Sequence, residues 1–414
     1  MSRVARMEVF APNEIATVFV TNHVVRRCFL MGIDPITGKN FNHRKVMIEG
    51  QLKRLARGFG IDLLGYALLS NQIDLIMRSR PDIVATWSDK EVARRWLLVC
   101  PVRKNAEGIA EDPNEDEINK IRKNKEKLAI IRLRLSDVAW WMRVLCQFIA
   151  VRANREDNEI GKFWQSRFRE VRLLDDVAIL ACAAHVDLNP VITGTVKTLD
   201  KVTFTSVHRR IRATAPPKTF AVKVARKKAA KPASSAAEAP AVPLAADRFL
   251  APIELGNKGK GKPGMQVSRD GFRCSDKGFL PLTQAEYLEI LDWTARQIGP
   301  GKVLTKPKSV PAVVEQLNQQ LPSTAVWCEL VRDFHNLFGA VAGNPGSVDA
   351  MRSLVNGYRY RLSPRARVLL PATESPATEL SVTELSVKKP SVRKSAAKKS
   401  SVKKSSAKKT SAKK

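Results

Sequence analysis

Two short apolar runs, Ile61–Ala67 and Gln72–Met77, are separated by the turn formers Ser70 and Asn71, a spacing that reads as a β-hairpin. Side chains alternate along a strand, so Ile73, Leu75 and Met77 point one way while Gln72 and Asp74 share the other face. The hairpin therefore commits the chain to a sheet with a polar pair set side by side on one surface.

Helical patterns surround it. Upstream, Ile15–Thr21 is a β-branched run, and Ile48, Leu52, Leu55 and Phe59 recur at helical spacing before Gly58 and Gly60 close the helix. Downstream, Ser88-Asp89-Lys90-Glu91 is a capping-box pattern opening a helix through Trp96. A charged stretch, Glu107–Lys127, breaks the apolar rhythm and reads as a solvated insertion over about residues 105–130. Ser136 can cap a long helix carrying Val138, Trp141, Leu145, Phe148 and Ile149. Another helix begins near Asp175 and is expected to stop before Asn189, because Pro190 disfavours helical geometry in the residue preceding it. Strand, helix, hairpin and helices together predict an α+β layer fold over residues 1–212.

Residues 213–264 turn to Ala, Pro, Lys and Gly without periodicity, a basic linker expected to be disordered. A second folded unit is expected over 265–370. There Thr283 and Glu286 form a capping box, Tyr287, Leu288, Leu291 and Ala295 make a helical stripe, and Gly299-Pro300-Gly301 ends it. Val313–Leu321, Thr324–Phe338 and Val348–Tyr358 read as three further helices, giving a small all-α domain. The last stretch, 371–414, ends in a five-residue Ser/Ala/Lys repeat. From Lys388 onward its 27 residues hold 12 basic side chains and no acidic ones, and such a segment cannot bury enough apolar area to fold.

A formal charge of +31 over 414 residues exceeds what solubility needs and points to a polyanionic partner, nucleic acid ahead of anionic membrane. No apolar run reaches the roughly 20 residues of a membrane span, and Met1–Phe10 lacks the apolar core of a signal peptide, so a cytoplasmic, nucleoid-associated protein is expected. The six cysteines (Cys28, Cys100, Cys146, Cys182, Cys274, Cys328) show no zinc-ligand spacing and read as reduced thiols.

Three motifs carry a resemblance. Asn71-Gln72-Ile73-Asp74-Leu75 is similar to an Asn-His-x-His-Leu strand, His185-Val186-Asp187-Leu188-Asn189-Pro190-Val191 to a Tyr-x-x-Leu-Asn-Pro-Val helix end, and Gly161-Lys162-Phe163-Trp164-Gln165-Ser166-Arg167-Phe168 to a Gly-x-x-Trp-x-x-Arg-Phe segment. Together they resemble the single-tyrosine HUH transposases, closest to the REP-associated tyrosine transposases, over about Ile15–Arg212. The resemblance implies a ferredoxin-like antiparallel sheet with helices, a DNA substrate, and pairing of two copies as a homodimer. In that family two histidines hold Mg²⁺ or Mn²⁺ and a tyrosine attacks phosphorus. Here the histidine positions fall on Gln72 and Asp74 and the tyrosine position on His185.

Transesterification needs an aligned nucleophile and a cation on the scissile phosphate. All four tyrosines (Tyr66, Tyr287, Tyr358, Tyr360) lie elsewhere, and Tyr66 reads as a half-buried strand aromatic. The leading expectation is a DNA-binding protein without cleavage, requiring no cofactor, in which Gln72, Asp74 and His185 form a hydrogen-bonded polar floor. An alternative is a metal-dependent nickase with His185 as nucleophile and Asp74 as metal ligand, since a carboxylate oxygen suits Mg²⁺. A third is DNA compaction through the basic tail. Phosphate affinity spreads over many cations. Arg26, Arg27, Lys162, Trp164, Arg167, Arg169, Arg172, Arg209 and Arg210 are the expected contacts to hairpin or single-stranded DNA, arginine beside aromatics suiting exposed bases.

Overall fold

The computed structural model describes residues 13–25, 28–103, 111–214, 245–255, 266–299, 310–317, 321–355 and 360–370. The expected tail and Arg26 and Arg27 lie outside these residues, as does most of the expected linker; its residues 245–255 are not disordered, because Phe249, Leu250, Ala251 and Ile253 are buried apolar side chains and the Ala251 N–H donates to the Leu63 carbonyl. Among the described residues five strands form one sheet: β1 (Thr17–His23), β2 (Ile61–Leu68), β3 (Gln72–Ser79), β4 (Arg169–Leu173) and β5 (Val341–Ala342), in spatial order β2-β3-β1-β4-β5. The expected hairpin is β2–β3, and the β-branched run is β1, paired antiparallel with both β3 and β4. The sheet is mixed and not wholly antiparallel, because β5 runs parallel to β4.

Both faces of the sheet are covered, as a sheet with two apolar faces requires. Val18, Val20, Ile73, Leu75 and Met77 pack with α1 (Asn42–Gly58) and the later helices of the first half. These are α2 (Pro81–Thr86), α3 (Asp89–Val99), α4 (Glu115–Lys123), α5 (Lys125–Arg134) and α6 (Val138–Asp157). Gly58 ends α1 as expected, and its lack of a side chain matters for packing: a Cβ there would lie 2.1 Å from a Val99 methyl, so only glycine lets α3 sit on the end of α1.

Three expectations change at this face. The charged stretch is not a solvated insertion, since Ile118 and Ile121 of α4 and Leu128 and Ile131 of α5 are buried in the same core. Two apolar residues per helix suffice because α4 and α5 lean on α3 and expose their charges outward. Asp137, not Ser136, caps α6, accepting from the Ala139 N–H at 2.7 Å, while the Ser136 hydroxyl turns back to the Leu133 carbonyl. Tyr66 is fully buried, its hydroxyl donating to Glu49 at 2.5 Å.

Phe19, Ile76, Val171 and Leu173 line the opposite face under α7 (Asp176–Ile192), which α8 (Ser206–Thr214) follows. Pro190 sits inside α7 and does not end it before Asn189. A proline in the last turn removes a single ladder hydrogen bond, and thirteen of the seventeen residues of α7 are buried, so packing outweighs the local preference.

The C-terminal helices α9 (Gln284–Gln297), α10 (Ala312–Leu317), α11 (Thr324–Leu337) and α12 (Pro345–Val355) fall on the expected helical segments, Thr283–Glu286 makes the full capping box, and α13 (Pro364–Leu369), capped by Ser363, was not expected. They do not stand apart as an all-α domain. Their buried residues, among them Tyr287, Leu291, Trp327, Val331 and Phe334, join one continuous apolar core with α7 and the sheet, and the same segment supplies β5. Buried polar knots fix the docking. Asp187 of α7 accepts from the Ser206 hydroxyl at 2.5 Å and from the Tyr287 hydroxyl of α9 at 2.7 Å, while Asp62 of β2 accepts from Arg78 and from Ser275.

Candidate functional site

Strand register assembles the polar face that the hairpin promised. His23 lies opposite Gln72 and Thr21 opposite Asp74, with Arg169 beyond Thr21 on β4. A bulge at Leu64 in β2 shifts the phase so that Ala67, a small residue, comes opposite Asp74. Room is left above the carboxylate for α7.

His185 and Asn189, one helical turn apart on α7, both point at this patch. Asp74 is fully buried and accepts from Gln72 Nε2 at 2.7 and 2.8 Å and from Asn189 Nδ2 at 2.7 Å. His185 is 4% exposed, and burial lowers its pKa from 6.5 although the Asp74 carboxylate pulls the other way. Gln72, Asp74 and His185 thus lie close together, the arrangement that the resemblance implied.

What covers that spot was not legible beforehand. Helix α11 lies over it: His185 Nδ1 donates to the Val331 carbonyl at 2.7 Å, and the His185 ring lies 5.9 Å from the Phe334 ring. That bond places the proton on Nδ1 and leaves Nε2 as an acceptor, and Nε2 is buried without a partner among the described residues. Thr21 Oγ1 and His335 Nδ1 are in the same condition. His335 belongs to α11, and its ring lies 6.0 Å from the His23 ring and 6.4 Å from the Phe19 ring. Burial and the nearby Arg169 guanidinium push its pKa down to about 4. Sequence reasoning missed His23 and His335. The pairing register of β1 could have found His23, since it faces Gln72, whereas nothing local to α11 marks His335.

The residues do not fit a divalent cation. Both Asp74 oxygens are taken by amide N–H donors, whose hydrogens would point at any bound metal, and among the described residues no group of three or more His, Cys, Asp or Glu side chains could hold one. The free nitrogen of His185 faces the protein interior and α11 separates the ring from solvent.

The expected DNA contacts divide into two groups. Arg169 donates to the carbonyls of His335 and Phe338 and so pins the end of α11. Arg172 is buried and paired with Glu14, Arg209 with Glu49, and Arg210 is buried between the carbonyls of Leu64 and Ala251, where burial lowers its pKa. Burial alone would raise the Glu49 carboxyl, but hydrogen bonds from Arg209 and Tyr66 hold it below the usual range. These four arginines are structural ties. Lys162 and Arg167 are exposed; Trp164 and Phe168 are half-buried, with the Trp164 indole donating to the Cys146 carbonyl of α6 at 2.9 Å.

No helix among the described residues is long and apolar enough to cross a membrane. No family model matches the sequence, and no curated protein matches it. Among solved structures, the chain is similar to a REP-associated tyrosine transposase bound to a REP hairpin. The match has 14% identity and a TM-score of 0.30, covering 57% of this chain and 100% of that one, which amounts to a distant structural relationship.

Proposed function

We propose that this chain is a DNA-binding protein of the single-tyrosine HUH type that holds hairpin or single-stranded DNA and does not cut it. The observation that carries the reading is that Gln72, Asp74 and His185 meet at one place, where the three motifs would put a cutting site, yet Asp74 and His185 are buried and α11 packs on the His185 ring. A phosphodiester cannot reach a buried imidazole nitrogen, and an attacking atom misplaced by even about 1 Å can cost a hundredfold. Binding survives such a change, because phosphate affinity is distributed over many cations and the chain carries a net +31.

A gel shift on hairpin, single-stranded and duplex DNA, with and without Mg²⁺ and read again on a denaturing gel, tests both halves. The expected result is a salt-sensitive, Mg²⁺-independent shift with no nicks. The triple change Gln72→His, Asp74→His and His185→Tyr is expected to leave it uncut, since α11 still covers the site. Absence of any shift overturns the binding. A nick or a covalent adduct that disappears in His185→Ala overturns the loss of cleavage.

A further inference from the structure

The outer face of α6 carries a feature that the closed cleft does not use and that only leans on the core through Trp140 and Phe148. Its inner face is spent on packing through Trp141, Met142, Leu145, Ile149 and Ala153. On the other side Arg143 lies 4.7 Å and Arg134, from the end of α5, 4.2 Å from the centre of the Trp140 ring. Trp96 of α3 meets Trp140 edge-on at 5.7 Å, and Arg152 lies 4.5 Å from the centre of the Phe148 ring. From Trp140 to Arg152 the stripe runs about 18 Å at 1.5 Å per residue.

Its charge is uncompensated. Among the described residues none of Arg134, Arg143 and Arg152 forms an ion pair, and the two carboxylates at the end of α6 are already engaged, Glu156 by Arg44 and His43 and Asp157 by Arg44 and Lys39. Elsewhere this chain does pair its surface arginines, as Arg94 and Arg95 do with Glu91. Val151 on the same face is 52% exposed, and Trp140 and Phe148 remain half-exposed to whatever lies above them. The segment bearing the exposed Lys162 and Arg167 borders this face, held to α6 by Asn154 donating to the Gly161 carbonyl at 3.0 Å and by the Trp164 indole.

We infer that the outer face of α6 is the docking surface for single-stranded nucleic acid, with the arginine edges taking phosphates while the guanidinium planes, seated on the Trp140 and Phe148 rings, take bases. A guanidinium already seated on a ring is pre-ordered, so less freedom is lost on binding, and its planar fork suits phosphate oxygens. Bases stack on aromatic and guanidinium planes alike, which duplex DNA, with its bases paired and stacked inside, cannot exploit. Two such ring–arginine units in succession match a strand and do not match a small anion.

This inference rests on the DNA-binding reading and locates it. The test uses the full chain and fluorescence anisotropy with a labelled 20-nucleotide oligothymidylate, its oligouridylate counterpart and a duplex of equal length. Arg143→Glu with Arg152→Glu is expected to weaken binding to both single strands at least tenfold and to the duplex less than threefold. A control of equal charge change on other exposed positions, Lys201→Glu with Arg352→Glu, is expected to cost less than threefold throughout. Arg143→Lys with Arg152→Lys keeps the charge and is expected to lose about threefold on the single strands, which a purely ionic contact would not. If the glutamate pair lowers the melting temperature, the pair Arg143→Gln and Arg152→Gln replaces it with the same expectation. Wild-type protein that binds no nucleic acid overturns the DNA-binding reading itself. Wild-type binding with the α6 pair indistinguishable from the control overturns this surface and leaves the reading standing.

Discussion

His185 and His335 approach the Asp74 carboxylate from different helices, and both are held neutral mainly by burial. Four charged or titratable groups face His335: Arg169 and His23 from the sheet, His185 from α7 and Asp74 from β3. A histidine whose pKa falls from 6.5 unfolded to about 4 folded binds its proton more readily when unfolded. Its contribution to stability is therefore complete above pH 6.5 and lost as the pH falls through that window toward 4. His335→Gln is expected to flatten the acid limb of the stability curve by about 1–3 kcal/mol between pH 7 and pH 4. Parallel urea titrations of the two proteins across that range check it, and identical slopes would show that His335 is not held neutral by the fold. The pocket was half legible at this scale. Alternation put Gln72 and Asp74 together, and only the resemblance linked His185 to them. The cover could not be read, because no local pattern in Thr324–Leu337 states which surface its apolar side will meet.

At the scale of elements, α11 is the piece on which the reading turns. Phe334 packs edge-on against Phe19 at 6.0 Å and beside Phe338 at 4.8 Å, with His185 on its other side. Phe334→Ala is expected to cost about 3–5 kcal/mol of global stability in a single cooperative transition, as a large core truncation does. Loss confined to a separate, lower-melting transition would mean that α9 to α13 fold independently of the sheet. Capping boxes and apolar stripes made α1, α3, α9 and α11 legible before their packing was known. They failed for α4 and α5, where only Ile118, Ile121, Leu128 and Ile131 among many charges mark the buried side. They failed again at Pro190, where a local preference yields to the burial of nearly all of α7.

For the whole molecule the division of labour between fold and charge is measurable. The 12 basic residues from Lys388 onward are 12 of the 31 net positive charges, enough to dominate a salt dependence that steepens by roughly 0.9 in log–log slope per phosphate contact. Deleting Lys388–Lys414 is expected to weaken DNA binding at least tenfold and to shallow the slope, while a preference for single strands over duplex persists. Binding measured against salt concentration decides the matter. Collapse to no detectable affinity would make the tail the binder and the folded part its anchor.

By itself the sequence determined the local order of this protein: a hairpin with a polar face, and amphipathic helices with their caps. Those follow from backbone geometry and side-chain alternation, which act over a few residues. Only the tertiary structure decided that the C-terminal helices share the core of the sheet, that α11 closes over Asp74 and His185, and that four of the candidate arginines are internal ties. Each of these depends on which apolar surface finds which partner, and burial is settled by the whole chain at once.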